Sequence, residues 1–339
     1  MTQAELPAVS RPAASQPSFT QSANRRPVRV LTTLSIMALI AIACFMLIGA
    51  HKNWAFILPF RATKVLALVL VAYAIAVSTI LFQTVTANRI LTPSIMGFDA
   101  LYILIQTVIV FFFSAQALSS TDPRLQYLLE VVVMTVFSGI LFQWLFMSGN
   151  RSLHLLVLVG IVCGVFFRSL SSLMQRMLDP NEFLVLQDTF FASFNSIDQT
   201  LLGISLLIVG LASLIGLKIM PYLDVIALGR PAAISLGVPY KATVATILIV
   251  VAMLVSVSTA LVGPITFFGL LIASLAHAIA GTSRHRYILP IAILLGIICL
   301  VGGQTLLERL FAFNTALSIV IEFLGGVVFI VLVLKKAMR

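Results

Sequence analysis

Charged side chains within long apolar stretches are the residues of this sequence most able to carry chemistry. Four such residues are Asp99, Glu130, Arg168 and Glu322. A charge inside a lipid bilayer costs free energy, so such residues are often kept for ion passage or proton transfer. A proton relay would also need acidic or histidine partners on facing helices. Structural pairing is therefore the favoured interpretation of these four residues, and functional charge transfer is the alternative.

The sequence contains no recognisable motif for metal binding, nucleophilic catalysis or nucleotide binding. The cysteines and histidines are few and dispersed: Cys44, Cys163, Cys299, His51, His154, His277 and His285. Their spacing supports neither a disulfide framework nor a paired metal site. The patterns H-E-x-x-H, G-x-S-x-G and G-x-x-x-x-G-K-[ST] are absent. The sequence thus predicts no cofactor, no bound metal and no reaction catalysed by this chain.

The composition indicates a membrane protein. Of the 339 residues, 60% are hydrophobic and 9% are charged, whereas about 25% of the residues of a soluble domain are charged. Apolar stretches recur that are long enough to cross a bilayer as helices. The alternating pattern of a membrane barrel is absent, so we predict an all-α polytopic protein with about ten transmembrane helices. The predicted spans are 30–50, 64–84, 92–116, 126–148, 154–176, 199–219, 242–262, 266–281, 288–306 and 315–335.

The distribution of charge predicts the orientation. Lysines and arginines concentrate in alternate connecting segments, which places these segments and both termini in the cytoplasm. The net charge of +10 is spread over short loops without a basic stripe, so a nucleic-acid partner is not expected. Residues 1–28 are rich in Ala, Pro, Ser and Gln and are predicted to form a disordered cytoplasmic tail. Residues 29–339 are predicted to form the transmembrane domain.

The most distinctive cytoplasmic segment is PYLDVIALGRPAAISLGVPYK, residues 221–241. Small residues alternate there with leucine and isoleucine. This pattern predicts a short helix, a tight turn and a second short helix outside the bilayer. Such a knob is able to dock into a cleft on another protein, and packing on its own subunit is the alternative.

This segment resembles the coupling segment of the iron-chelate (FecCD-type) permeases of ATP-binding-cassette transporters. The family pattern A-x-x-L-G matches Ala233, Leu236 and Gly237, and Ala232 stands just before it. In that family the segment contacts the ATPase. The resemblance therefore implies that these four residues couple the chain to a separate ATPase subunit.

Three further blocks carry the resemblance in the family's order. They are NRILTPSIMGFD at 88–99, GPITFFGLLIASLAHAIAG at 263–281 and GTSRHRYILP at 281–290. The second block has Ala273 and Ser274 where the family has a Pro-His pair, and this departure bears on the substrate subgroup. The resemblance implies a translocation path that includes six residues of these blocks: Asn88, Pro93, Gly97, Gly263, Phe267 and Gly269.

The outward side also resembles the family. The resemblance implies that Arg61, Lys64 and Arg309 form a cationic rim that receives acidic residues of a binding protein, and simple helix-end anchoring is an equally favoured alternative. Segment 179–198 is too polar to span the membrane but carries a stripe of phenylalanines. It is predicted to form a short helix over the pore mouth, where a helix of the family helps to gate entry.

Taken together, the resemblance implies a permease subunit of an ATP-driven importer for a ferric siderophore, with a catecholate or mixed chelate favoured. Cobalamin or haem import by the same fold and an ion-coupled secondary transporter are the alternatives; a membrane enzyme is disfavoured. The expected partners are cytoplasmic ATPase subunits, an extracytoplasmic siderophore-binding protein, membrane lipid and a second permease, for which a paralogue is favoured over a second copy. The expected location is a bacterial inner membrane, which the chain crosses several times.

Overall fold

The computed structural model describes residues 25–48, 54–120, 122–147, 153–195 and 197–310, together with short pieces between 317 and 330. Within these ranges the chain forms helices joined by turns, and the predicted all-α class is confirmed. The helices are α1 Arg25–Leu47, α2 Trp54–Thr86, α3 Phe98–Ser120, α4 Pro123–Met147, α5 Leu153–Gln175, α6 Pro180–Asp188, α7 Gln199–Ile226, α8 Arg230–Ser235, α9 Tyr240–Val262, α10 Phe268–Ala280 and α11 His285–Leu310. Helical conformation resumes at Leu317.

The predicted spans coincide with the long helices. Within the described ranges, α1, α2, α4, α5, α7, α9 and α11 are long and apolar enough to cross a membrane, while α3 and α10 contribute shorter apolar helices. The tenth predicted span, 315–335, lies only partly in the described residues, and most of the predicted N-terminal tail lies outside them. Within the described residues, nine of the ten predicted spans therefore coincide with apolar helices.

Several predicted boundaries differ from the structure. Helix α1 begins at Arg25, inside the predicted tail, and α7 ends at Ile226, seven residues beyond its predicted span. Helix α2 begins at Trp54 instead of near residue 64, and it includes Pro59, whose missing N–H costs the helix one backbone hydrogen bond. Residues 92–97 of the third predicted span are not α-helical. They form a turn around Pro93 and a short 3-10 helix, Ser94–Met96, before α3 begins at Phe98.

Helices α2 and α9 form the centre of the bundle. About two-thirds of the apolar window of each is buried, against 22% for α5 and α7. Small residues allow this close packing, since a side chain on Gly296 of α11 would lie 3.3 Å from Ala72 of α2. The outer helices therefore expose apolar surface that a bilayer or a partner must cover.

The two short helices lie in the segments where short helices were predicted. Helix α6 falls within 179–198 and is capped by Asp179, whose carboxylate accepts a hydrogen bond from the Asn181 backbone at 2.9 Å. In segment 221–241, α7 continues through Ile226, so the first of the two predicted short helices is the end of α7. Gly229, at φ +96°, then turns the chain into α8.

Candidate functional site

A narrow cleft between α2, α9 and α10 brings together three of the predicted path residues, Pro93, Gly263 and Gly269. The cleft is rich in hydroxyl groups, which belong to Ser78, Thr79, Thr92, Ser94, Ser258 and Thr259. These side chains can donate and accept hydrogen bonds, unlike the surrounding apolar core. Thr79 lies seven residues before the end of α2 at Thr86, which is about 10 Å along a helix. The cleft therefore lies within the membrane layer.

Two breaks in the helical backbone meet near this cleft. One comprises residues 87–97, which lead into α3, and the other comprises residues 263–267, which lead into α10. The Thr266 hydroxyl of the second break donates to the carboxylate of Asp99, two residues beyond the first break, at 2.8 Å. Asp99 is buried in the first turn of α3, where a negative charge is favoured by the helix dipole. This hydrogen bond is a contact of the kind that structural pairing requires, and the structural role of Asp99 stays a prediction.

Gly97 brings the first break into direct contact with α5. Its φ of +97° lies in the region that favours glycine. A Cβ on Gly97 would lie 2.8 Å from the Cα of Gly164, and a Cβ on Gly160 would lie 2.6 Å from Met96. The two backbones touch, so no side chain fits between them.

The other two predicted path residues do not line the cleft. Asn88 is exposed just after α2, and its side-chain oxygen accepts a hydrogen bond from the Ile90 backbone at 3.0 Å. Phe267 is 46% exposed before the start of α10. The structure thus separates the six predicted residues into three that line the cleft, one that packs against α5, and two at exposed positions.

Glu130 belongs to a buried polar network. The side-chain amides of Gln106 and Gln126 donate hydrogen bonds to its carboxylate at 2.8 and 2.9 Å. Tyr127 follows Gln126 in α4, and its hydroxyl lies 2.7 Å from the Ser205 hydroxyl of α7. These contacts join α3, α4 and α7, as expected of structural pairing. Glu322 lies outside the described residues.

Arg168 lies on an exposed face of α5. Ser169 and Ser172 are exposed on the same helix, whereas Phe167 and Ser171 are buried against the bundle. In a helix that crosses a membrane, an exposed arginine beside exposed serines is costly next to lipid. This part of α5 therefore requires a polar or protein surrounding.

The pattern A-x-x-L-G has a local physical explanation. Gly237 has φ +78° and its backbone donates to the Ile234 carbonyl at 3.0 Å, while the Val238 backbone donates to the Ala233 carbonyl at 3.0 Å. These two bonds form the Schellman motif that ends α8. Ala233 is fully buried and anchors α8 to its own subunit.

The outer surface of segment 221–241 is apolar. Leu228, Ile234 and Leu236 are each more than half exposed on this segment, which was predicted to be cytoplasmic. Ala232 is half-buried and Gly237 is exposed. Exposed leucine and isoleucine side chains on and beside a short helix form the kind of surface that docks into a partner.

The three predicted rim cations have different surroundings. Arg61 donates to the carbonyl oxygens of Phe45, Met46 and Ile48 at 2.8 to 3.0 Å, and Arg309 also donates to that of Ile48. Both arginines thus neutralise the C-terminal end of α1, as the helix-end alternative predicts. Arg309 remains exposed.

Lys64 is buried instead of lying at the rim. Its ammonium group lies 2.7 Å from the Glu308 carboxylate and donates to Asn195 at 3.3 Å. Gln304 donates to both Glu308 and Asn195. This cluster ties α2 and α11 to the segment that follows α6, so Lys64 is not presented to a binding protein. Sequence analysis did not identify the pair because 244 residues separate its two members.

Comparison with known proteins gives a consistent result. The sequence matches the FecCD transport family over residues 28–335. It is 45% identical over 313 residues to the petrobactin import system permease protein YclO of Bacillus subtilis, which covers 92% of this chain and 98% of that protein. It is 38% identical over 276 residues to the petrobactin import system permease protein FatC of Bacillus anthracis, covering 81% of this chain and 78% of that protein.

The fold also matches a solved structure. That structure is described as an inward-facing conformation of a metal-chelate type ABC transporter, with a TM-score of 0.80 and 22% sequence identity. The match covers 91% of this chain and 99% of the other chain.

Proposed function

The chain belongs to the FecCD transport family, and on this basis we propose that it is the membrane permease subunit of an importer for a ferric siderophore. The observation that carries the proposal is the 45% identity to a petrobactin import permease along nearly the whole of both chains. Family members are permease subunits of ATP-binding-cassette importers, whose ATPase is a separate subunit. The chain is accordingly a multi-pass protein of the bacterial cell membrane.

The proposed substrate is a catecholate-containing ferric siderophore. Petrobactin contains catecholate groups, and this agrees with the chelate type that the sequence favoured. A vitamin B12 import system permease protein of Klebsiella pneumoniae is a weaker match, at 26% identity over 335 residues. Growth of an iron-starved deletion strain on ferric petrobactin tests the proposal. Failure to grow on this chelate with normal growth on ferric citrate supports it, and undiminished growth on both counts against it.

We propose that α8 is the contact for the ATPase subunit. The apolar surface of Leu228, Ile234 and Leu236 is accessible, while Ala233 and Gly237 fix the shape of the helix that presents it. Ala232 and Ala233 contribute by their small size, which keeps α8 close to its own subunit. In an alternating-access cycle, closure of the ATPase subunits would move α8 and, with it, the helices around the path.

We further propose that the path runs between this chain and a second permease, along the exposed face of α5. The position of Arg168, Ser169 and Ser172 supports this, since a water-lined path gives these side chains a polar surrounding. Ser94 of the hydroxyl-lined cleft lies three residues before Gly97, which touches α5. We propose a paralogue as the second permease; recovery of two differently tagged copies of this chain in one complex would argue for a homodimer instead.

Docking of the binding protein is proposed at the outer end of α11. Arg309 is exposed there and lies beside the C-terminal end of α1, with Arg61 behind it. Lys64 would act indirectly, by holding α2, α11 and the segment after α6 in place. Helix α6 is the proposed gating element. It ends seven residues before Asn195, which contacts Lys64.

A further inference from the structure

A buried histidine ties three helices together at the cytoplasmic side, next to the coupling segment. The ring Nδ1 of His285, the first residue of α11, lies 2.6 Å from the Asp224 carboxylate in the last turn of α7. The same carboxylate oxygen accepts a hydrogen bond from the His285 backbone at 2.9 Å. The other ring nitrogen, Nε2, lies 2.7 Å from the Thr84 hydroxyl in the last turn of α2.

We propose that the cluster of Asp224, His285 and Thr84 transmits movement of α8 to α2 and α11 during the transport cycle. The inference rests on the proposed function, because it assigns these residues a role in an ATP-driven cycle. In this role they are positioning residues, since each acts through the helix that carries it.

The position of Asp224 in the chain supports the connection to α8. Asp224 lies two residues before the end of α7, and only the turn at residues 227–229 separates α7 from α8. That turn is closed by hydrogen bonds from the backbones of Ala227, Leu228 and Gly229 to carbonyls in the last turn of α7. Because this turn is short and hydrogen-bonded, a displacement of α8 is expected to move the Asp224 carboxylate as well.

The hydrogen bonds are suited to transmitting force. His285 is only 4% exposed, and a hydrogen bond to a carboxylate is shorter and stronger than one between neutral groups. The carboxylate holds both the side chain and the backbone of His285, which fixes the orientation of the ring at the start of α11. The ring in turn contacts Thr84, so it links the start of α11 to the last turn of α2.

On the far side of the cluster, α2 leads directly to the cleft. Gln83, next to Thr84, donates its side-chain amide to the Arg89 carbonyl at 2.7 Å and so holds the first residues after α2. This break contains Pro93, which lines the cleft, and Gly97, which touches α5. A continuous series of contacts thus links the coupling segment to the residues proposed to line the path.

The test compares variants of the complete importer, reconstituted in liposomes with its ATPase and loaded binding protein. Thr84→Val removes the hydroxyl at nearly constant volume, and Asp224→Asn keeps an acceptor but removes the charge. We expect both variants to assemble and to hydrolyse ATP at the basal rate, but to import at least about fivefold less radiolabelled ferric petrobactin per ATP hydrolysed. Thr84→Ser keeps the hydroxyl, so this variant should import as much ferric petrobactin per ATP hydrolysed as the wild type.

Thr246→Val is the matched control, because the Thr246 hydroxyl donates only within its own helix, to the Ala242 carbonyl. A double variant, Thr84→Val with Asp224→Asn, shows whether the two residues act in one series of contacts or whether each substitution lowers coupling independently. If the residues act as one series, the double variant should lose no more coupling than the worse single variant. A normal import ratio in both single variants, or losses that add in the double variant, would overturn the inference.

The outcome is distinguishable from failure of the proposed function. If the wild-type complex imports no ferric petrobactin, the substrate assignment fails. If the wild-type complex imports the chelate and Thr84→Val imports it with equal efficiency, only the role of the cluster fails. Should Asp224→Asn not assemble, Thr84→Val and Thr84→Ser still decide, since neither changes a charge.

Discussion

Replacing Gly97 with alanine should destabilise the protein because the substitution meets two separate obstacles. The backbone at Gly97 has φ +97°, and a left-handed conformation costs a residue with a side chain about 1–2 kcal/mol. The new Cβ would lie 2.8 Å from the Cα of Gly164, and forcing apart a packed contact costs about 1–3 kcal/mol. The free energy of unfolding should therefore fall by about 2–5 kcal/mol.

Two other glycines separate these contributions. A Cβ on Gly164 would lie 3.0 Å from the Cα of Gly97, but Gly164 has an ordinary helical backbone, so Gly164→Ala should lose the packing part alone. Gly216 in α7 has no neighbour within 4 Å of such a Cβ, so Gly216→Ala should cause no loss.

The assay is thermal unfolding of each purified variant in detergent, followed by the monodisperse fraction that survives heating. The reasoning predicts the order Gly97→Ala, Gly164→Ala, Gly216→Ala, from the lowest to the highest melting temperature. A Gly97→Ala protein that melts with the wild type, or a Gly216→Ala protein that melts as low as Gly97→Ala, would refute the close contact between the break and α5.

Four further predictions follow from single contacts. Lys64→Met should lower the free energy of unfolding by about 3–5 kcal/mol, because it leaves the Glu308 carboxylate without its ion partner; melting of Lys64→Met near the wild-type temperature would contradict a buried ion pair. Leu236→Asp should abolish copurification of the ATPase subunit at an unchanged level in the membrane, whereas full recovery of the ATPase would remove α8 from that contact. Arg309→Glu should weaken docking of the binding protein in a pull-down at physiological salt, and unchanged docking would leave the rim arginines as helix caps only. Hydrogen bonds from the Thr200 and Leu201 backbones lower the pKa of Asp198, so the ionised carboxylate stabilises the start of α7 above its ordinary pKa, and this stabilisation is lost as the pH falls through the lowered value. Protection of these amides from hydrogen exchange, relative to the intrinsic exchange rate at each pH, should therefore fall on acidification in the wild type and depend less on pH in Asp198→Asn.

The helices of this protein were predictable because their signal is local. Twenty or so apolar residues in a row indicate a spanning helix whatever the rest of the chain does, and α4, α5 and α9 begin and end within a few residues of the predicted spans. The start of α2 was not predictable, because Pro59 and Arg61 suggest a loop when their tertiary contacts are unknown. Arg61 is accommodated there by the carbonyl groups of α1.

The sites were predictable only in part, because the sequence carries local signals but does not reveal tertiary contacts. The glycines of the A-x-x-L-G and S-I-M-G segments were identified from their motifs, and both have the positive φ that only glycine adopts readily. The pairs Lys64–Glu308 and Asp224–His285 join residues far apart in the sequence, and nothing in the local pattern indicates which residues become neighbours. Lys64 was accordingly predicted to lie on the rim, whereas in the structure it is buried in an ion pair with Glu308.

The most direct test of the central proposal is uptake of radiolabelled iron by iron-starved cells with and without this chain, supplied separately as ferric petrobactin and as a ferric hydroxamate chelate, with labelled cobalamin in parallel. The account predicts that deletion abolishes uptake from ferric petrobactin, that the intact gene restores it, and that hydroxamate and cobalamin uptake do not change. Undiminished uptake from ferric petrobactin, together with loss of either of the other two substrates, would contradict it.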